Sequence, residues 1–306
     1  MDISIVIPLF NEAESLPTLM KSIAEAMRPL GRPYEVILVD DGSTDASFEA
    51  CARLHAEYRG TVTAVRFSRN YGKSAALSVG IQKASGRIIV TMDADLQDDP
   101  AAIPDMVKLI EQGWDVVSGW KKKRHDPLSK TAPSKIFNAL TSMISGLKIH
   151  DFNCGFKAYR REAALSLEIY GERHRYLPVL AHWNGFRVTE MPVPHHPRRF
   201  GKSKFGIGRA AGMFDLLTLV FLRTYLRKPL HFFGPLGCCM GLAGVIILGY
   251  FGVQWAITRE MHIRPLVLLS LGAIIMGIQF ISIGLIGELI INANPKAGYT
   301  IREMLE

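Results

Sequence analysis

The chain has 306 residues, a formal net charge of +8 and a pI near 9.3; 48% of its residues are hydrophobic and the mean hydropathy is +0.15. That length accommodates one large domain and a smaller part, the hydropathy is high for a purely soluble chain, and the basic balance calls for an anionic partner. Cys51, Cys154, Cys238 and Cys239 make neither a C-x-x-C pair nor a disulfide framework, which excludes a disulfide-stapled scaffold and fits a reducing compartment.

The first apolar run, Ile3 to Phe10, follows no basic stretch and stops at Asn11-Glu12, so it reads as a strand and not as a signal peptide. Residues 3–7 are β-branched and closed by Pro8, the pattern of a buried parallel strand. A helix follows over 14–27, with Leu16, Leu19, Ile23 and Met27 at helical spacing. Further strands are expected at 35–39, 62–67, 87–92 and 115–118, and further helices at 47–58, 73–84 and 100–112. Strands alternating with helices at this spacing predict an α/β domain with a mostly parallel sheet, helices on both faces, and ligands at the carboxyl ends of the strands.

Two later segments have the look of interface helices. Residues 134–147 gather Ile136, Phe137, Leu140, Met143, Ile144 and Leu147 on roughly one face, a pattern shared by headgroup-plane helices and by ordinary core packing. Residues 206–228 carry a heavier apolar load with Arg209, Arg223 and Arg227 at the ends.

No Asp, Glu, Lys or Arg occurs from Pro229 to Thr258 or from Pro265 to Gly287. A membrane crossing takes about 20 apolar residues, so 231–257 and 265–290 are expected to form a transmembrane hairpin. Arg223, Arg227, Lys228, Lys296 and Arg302 flank the pair and outnumber Arg259 and Arg264 in the loop. The large domain, 1–205, and the tail, 293–306, are therefore expected on the cytoplasmic side of a multi-pass membrane protein.

The chemistry-bearing residues fall at strand ends. Asp93-Ala94-Asp95-Leu96-Gln97 follows the fourth strand, and two carboxylates two residues apart, with an amide oxygen beyond, can face one hard cation such as Mg²⁺ or Mn²⁺. Such a cation offsets the charge of a departing diphosphate. Asp40-Asp41-Gly42-Ser43-Thr44-Asp45 follows the second strand; part of it caps the next helix, and one carboxylate is left for a nucleobase or ribose. Pro8-Leu9-Phe10-Asn11-Glu12 ends the first strand on the same sheet edge, and the three together point to a nucleotide site.

I-V-I-P-L-F-N-E, V-D-D-G-S-T-D and M-D-A-D-L-Q resemble family 2 glycosyltransferases of the GT-A fold. P-S-K-I-F-N, H-D-F-N-C-G-F-K-A-Y-R-R-E and H-H-P-R-R-F-G-K-S-K are similar to the polyprenyl-phosphate branch of that family, especially its bacterial members. The resemblance implies inverting transfer of a sugar from a nucleotide-diphosphate sugar, with UDP-glucose as one expected donor, to a polyprenyl phosphate at the bacterial inner membrane.

The resemblance also implies roles. Pro8, Phe10, Glu12, Val39, Asp40, Asp93 and Ala94 would hold the nucleotide; Asp93, Asp95 and Gln97 would hold Mg²⁺ or Mn²⁺ with the diphosphate. Arg198 and Lys204 would reach the phosphates, with Arg199 and Lys202 in support. Ser134 and Lys135 would receive the lipid phosphate, with Lys121 standing where relatives often carry an Arg, and Asp151 near the acceptor as a base. The implied partners are the nucleotide sugar, the lipid and the membrane, with a homo-oligomer up to a tetramer; nucleic acid is not among them. A processive polysaccharide synthase of the same fold is less consistent, because no Q-x-x-R-W follows. A non-catalytic membrane scaffold leaves the acidic motif without a role.

Overall fold

The computed structural model describes residues 1–122, 138–197, 228–259 and 265–293. These fall into two compact units, one from residue 1 to 197 and the other made of the two long C-terminal helices.

The first unit alternates β1 (Ile3–Leu9), α1 (Leu16–Met27), β2 (Tyr34–Asp40), α2 (Ser47–Glu57), β3 (Val62–Arg66), α3 (Lys73–Lys83) and β4 (Ile88–Thr91). It continues with α4 (Ile103–Glu111), β5 (Val116–Trp120), α5 (138–145), β6 (Lys157–Arg160), α6 (Arg161–Leu165), α7 (Leu177–Trp183) and β7 (Val188–Pro192). The sheet order is β3-β2-β1-β4-β6-β5-β7. All neighbours are parallel except β6, which runs antiparallel to both β4 and β5. The expected mostly parallel sheet is present, with β6 and β7 added to the five strands read from the sequence.

All seven residues of β1 are buried because the sheet is covered on both faces. On one face Ile5, Leu38 and Val117 pack against Leu19, Ile23, Cys51, Met106 and Ile110 of α1, α2 and α4. On the other, Val6, Val39, Ile89 and Tyr159 pack against Leu77, Ile81, Ala163 and Leu177 of α3, α6 and α7. Two covered faces leave the carboxyl edge of the sheet for ligands.

Of the apolar residues expected on one face of 134–147, Leu147 is buried, whereas Met143 is 74% and Ile144 41% exposed. That part of α5 is not core packing. Residues 206–227 and 294–306, with the roles expected of them, lie outside the described residues.

The second unit contains α8 (Leu230–Thr258) and α9 (Pro265–Ala293), 29 residues each. At 1.5 Å per residue each reaches about 43 Å, and both are long and apolar enough to cross a membrane. They meet backbone to backbone: a Cβ on Gly237 would sit 2.6 Å from the Gly277 carbonyl oxygen, and one on Gly244 would sit 2.6 Å from that of Ser270. Small residues at the seam permit this approach, while Leu242, Ile246, Val253, Leu268 and Leu289 remain exposed.

Candidate active site

Three loops meet at the carboxyl edge. The turn after β1 is stitched to the turn after β2: Asn11 N donates to Ser43 Oγ at 2.9 Å, Thr44 N to Asn11 Oδ1 at 2.9 Å, and Glu12 N to Ser47 Oγ at 2.8 Å. Asn11 takes a left-handed φ of 52°, a conformation Asn tolerates better than most residues. Pro8 and Val39 are paired in the sheet, and Phe10 begins the stitched turn.

Asp40 is fully buried. Its Oδ1 accepts from Ser43 N at 2.9 Å, while Oδ2 lies 3.6 Å from Arg66 Nε and has no hydrogen-bond partner among the described residues. Asp41 turns the other way and accepts from Tyr71 N at 2.7 Å and Gly72 N at 2.9 Å. It thereby fixes the turn that launches α3. Burial raises the Asp41 carboxyl pKa against the pull of these two bonds.

Turning α3 brings Lys73, its first residue, to the acidic motif: Lys73 Nζ stands 2.5 Å from Asp93 Oδ1. Burial alone would raise the Asp93 carboxyl, but the ammonium groups of Lys73, Lys121 and Lys157 hold it down at about 2. Asp93 is thus ionised throughout the physiological range. Ala94 is buried, and Asp95 Oδ1 accepts from Gln97 N at 3.2 Å across a left-handed Leu96 with φ of 60°. A non-glycine residue held there marks a turn set by its surroundings.

The loop beyond is pinned from across the site. Gln97 O accepts from His196 N at 2.9 Å, and Asp98 and His195 form an antiparallel bridge. His195-His196 is a brace that brings the chain to Pro197, one residue before Arg198. Lys121 Nζ is 2.7 Å from Asp98 Oδ1, with side chains 14% and 0% exposed. Burial would lower the Lys121 pKa, but Asp98 more than reverses this. Lys121 therefore neutralises a buried carboxylate.

Asp151 is 1% exposed; its Oδ1 accepts from Asn153 N at 3.2 Å, and its carbonyl accepts from Ser118 Oγ at 3.4 Å. Ser134, Lys135, Arg198, Arg199, Lys202 and Lys204 lie outside the described residues.

Three groups emerge that the sequence reading passed over. Lys73 is one. Lys157, in the middle of the sheet on β6, is fully buried and donates to the Cys154 carbonyl; burial lowers its pKa. His174 Nδ1 lies 3.0 Å from Ser74 Oγ, and burial, reinforced by Lys73 and Arg175, holds the imidazole at about 3, neutral near pH 7. The one sequence signal among them was Gly72-Lys73 opening a helix, the usual start of an anion-facing turn.

Among the described residues no group of three or more His, Cys, Asp or Glu side chains converges on a metal position. The donor set Asp93, Asp95 and Gln97 still fits Mg²⁺ or Mn²⁺, which take few protein oxygens and fill the rest of their shell with water and phosphate. The Lys73 ammonium on Asp93 shows that this carboxylate accepts a cation.

The sequence profile of glycosyl transferase family 2 matches residues 4–167. Dodecaprenyl-phosphate galacturonate synthase of Rhizobium johnstonii is 35% identical, over 100% of this chain and 94% of its own length. Undecaprenyl-phosphate 4-deoxy-4-formamido-L-arabinose transferase of Klebsiella pneumoniae is 37% identical, over 94% of this chain and 88% of its own. Among solved structures, glucosyl-3-phosphoglycerate synthase from Mycobacterium tuberculosis, in complex with Mn²⁺, uridine diphosphate and phosphoglyceric acid, superposes with a TM-score of 0.54 at 18% identity. The match covers 72% of this chain and 78% of that one, and it shows the fold. With a doubly covered sheet, acidic turns at its carboxyl edge and full-length relatives above 30% identity, the chain belongs to glycosyl transferase family 2 and has the GT-A fold.

Proposed function

We infer that this glycosyltransferase moves a single sugar from a nucleoside-diphosphate sugar to a polyprenyl phosphate, with inversion, at the cytoplasmic face of the bacterial inner membrane. The observation that carries the reading is the Lys73–Asp93 ion pair beside the Asp95–Gln97 turn just past β4, in a chain that aligns over nearly its whole length with transferases named for dodecaprenyl and undecaprenyl phosphate.

Asp40 Oδ2, buried and without a hydrogen-bond donor among the described residues, would accept from the nucleoside, beside the turn that carries Phe10 and Glu12. Asp93, Asp95 and Gln97 would hold Mg²⁺ or Mn²⁺, which supplies charge neutralisation to the diphosphate. Arg198 and Lys204, following the brace at His196, would close on the same phosphates. Ser134, Lys135, Arg199 and Lys202 would meet the acceptor, and Asp151 would orient it. A phosphomonoester oxygen is already anionic near neutrality, so its attack on the anomeric carbon needs alignment more than a strong base. One C–O bond forms as the bond to the diphosphate breaks, and the diphosphate leaves with the electron pair.

The donor is read as a UDP-sugar because uridine diphosphate occupies the Mycobacterium tuberculosis neighbour. Galacturonate or a formamido-arabinose, the sugars named for the relatives, is favoured over the glucose expected from the sequence. The outward Met143 and Ile144, with α8 and α9, would hold the enzyme at the bilayer. No tetramer is needed, since every residue used lies in one chain.

The test is transfer by the detergent-purified protein from a panel of UDP- and GDP-sugars to a short-chain polyprenyl phosphate, with Mg²⁺, Mn²⁺ or chelator and with Asp95→Asn as the blank. The expected product is one sugar per lipid phosphate, formed only with metal and absent with the variant. A polymeric product would move the chain to the polysaccharide synthases. Nucleotide release indifferent to lipid phosphate would overturn the acceptor.

A further inference from the structure

The carboxyl end of β5 carries a cluster that none of these roles uses. The Trp120 ring and the His150 imidazole stack with centroids 4.2 Å apart and planes 13° from parallel. Lys122 Nζ lies 5.5 Å from the Trp120 ring centroid. Glu190 on β7 grips His150 at two points: Oε2 accepts from its backbone N at 2.7 Å, and Oε1 meets Nδ1. Asn138, at the start of α5, donates from Nδ2 to the His150 carbonyl at 2.7 Å.

This is more bracing than a surface histidine needs. The Glu190 side chain is 15% exposed and that of His150 66%, so the imidazole is held from within and open outward. A carboxylate on Nδ1 fixes that nitrogen as the protonated one, leaving Nε2 for a ligand. No Nε2 partner occurs among the described residues. The imidazolium with a phosphate dianion, and the neutral ring with a phosphate monoanion, make the same Nε2–H–O bond. A phosphomonoester, which carries between one and two charges near neutrality, is therefore met in either state. Lys122 adds a flexible second cation beside the same ring.

The surroundings select the ligand. His150 immediately precedes Asp151, whose carbonyl is bound by Ser118 of the strand that carries Trp120. α5, whose first residue Asn138 binds the His150 carbonyl, leaves Met143 and Ile144 exposed. A phosphate at His150 would thus have Asp151 as its chain neighbour and the exposed apolar residues of a helix tied to the same carbonyl, matching a phosphate head on a hydrocarbon chain.

We propose that His150 Nε2 and Lys122 Nζ, braced on Trp120 by Glu190, form a seat for the phosphate of the polyprenyl phosphate acceptor. The proposal rests on the acceptor reading above. It is tested in detergent at saturating donor with varied short-chain polyprenyl phosphate. His150→Gln is expected to raise the acceptor KM about tenfold, the scale of one charge-assisted hydrogen bond, with donor KM and kcat within about twofold. Lys122→Gln should move the same constant less, and Glu190→Gln in the same direction, because a neutral amide grips the ring more weakly.

Unchanged acceptor KM in His150→Gln and Lys122→Gln overturns the seat, as does an equal rise in donor KM. If His150→Gln fails to fold, Lys122→Gln alone decides. Loss of binding to phosphatidylglycerol vesicles with an unchanged acceptor KM would assign the cluster to bulk headgroups and also overturn the proposal. Failure of the wild type to use any polyprenyl phosphate refutes the acceptor and the seat together; wild-type transfer with indifferent variants refutes the seat alone.

Discussion

The Asp93 carboxylate lies flat against Gly155: a Cβ built on that glycine would sit 2.7 Å from Oδ2 and 2.8 Å from Oδ1. Real side chains do not come so close, and Asp93, held by Lys73 on its other side, has little room to retreat. Gly155→Ala should therefore turn the carboxylate out of place, lowering turnover tenfold or more while the melting temperature falls by only a few degrees. Transfer rates and a thermal melt on the same preparation check this; wild-type turnover would mean the carboxylate's position does not matter.

The pairing of Lys121 with Asp98 separates a structural ammonium from a substrate-binding one. Lys121→Met leaves a fully buried carboxylate without its cation, a change that costs about 3–5 kcal/mol. For a domain of this size the melting temperature should drop by roughly 10 °C. Replacing both partners, Lys121→Met with Asp98→Leu, should recover most of the loss. A single variant that melts normally but has a raised acceptor KM would return Lys121 to the acceptor phosphate.

His174 supplies an acid-side sensitivity. Its folded pKa, about 3, lies below the ordinary 6.5 because burial opposes the imidazolium. Between those values the unfolded chain binds more protons than the folded one, so stability falls as pH is lowered from 6.5 toward 3. Asp93, held at about 2, begins to contribute to the loss only below the ordinary carboxyl range. Of the difference between melts at pH 7 and 4.5, the histidine's share is about 1–2 kcal/mol after allowing for its partial exposure. His174→Asn should flatten that difference; an unchanged slope would place the acid sensitivity elsewhere.

Orientation is testable without a substrate. With Cys51, Cys154, Cys238 and Cys239 replaced, single cysteines at Ala46 and Glu260 should react with an impermeant maleimide from opposite sides of inner-membrane vesicles. Labelling of both from one side would refute the hairpin.

The sequence made the β-branched strands legible, because residues 5–7, 36–39 and 88–90 bury both faces and read as unbroken apolar runs. It did not show β6 or β7. Lys-Ala-Tyr-Arg has a charged residue at each end, yet Lys157 is fully buried by its neighbours in space; Val-Thr-Glu-Met-Pro is an edge strand of half-buried residues. Motif spacing singled out Asp40, Asp93 and Asp95, because they lie at or just beyond strand ends. It missed Lys73, Lys157 and His174, which come from three distant elements and meet only after folding. Nor does it show that Lys121 pairs with Asp98, a residue distant in sequence that folding buries beside it.

β6 lies between β4 and β5 and opposes both, so the sheet is continuous only once residues 157–160 have been inserted. A nascent chain can make β1 to β4 early, but β5 and β7 join the sheet only through β6 and so wait for residues 157–160. Gly155 and Lys157 arrive on that same wedge, against an Asp93 made more than sixty residues before. Vectorial synthesis thus leaves the surroundings of Asp93 incomplete until the fold is nearly closed, and a chain released early would carry the acidic motif without Gly155 and Lys157 beside it.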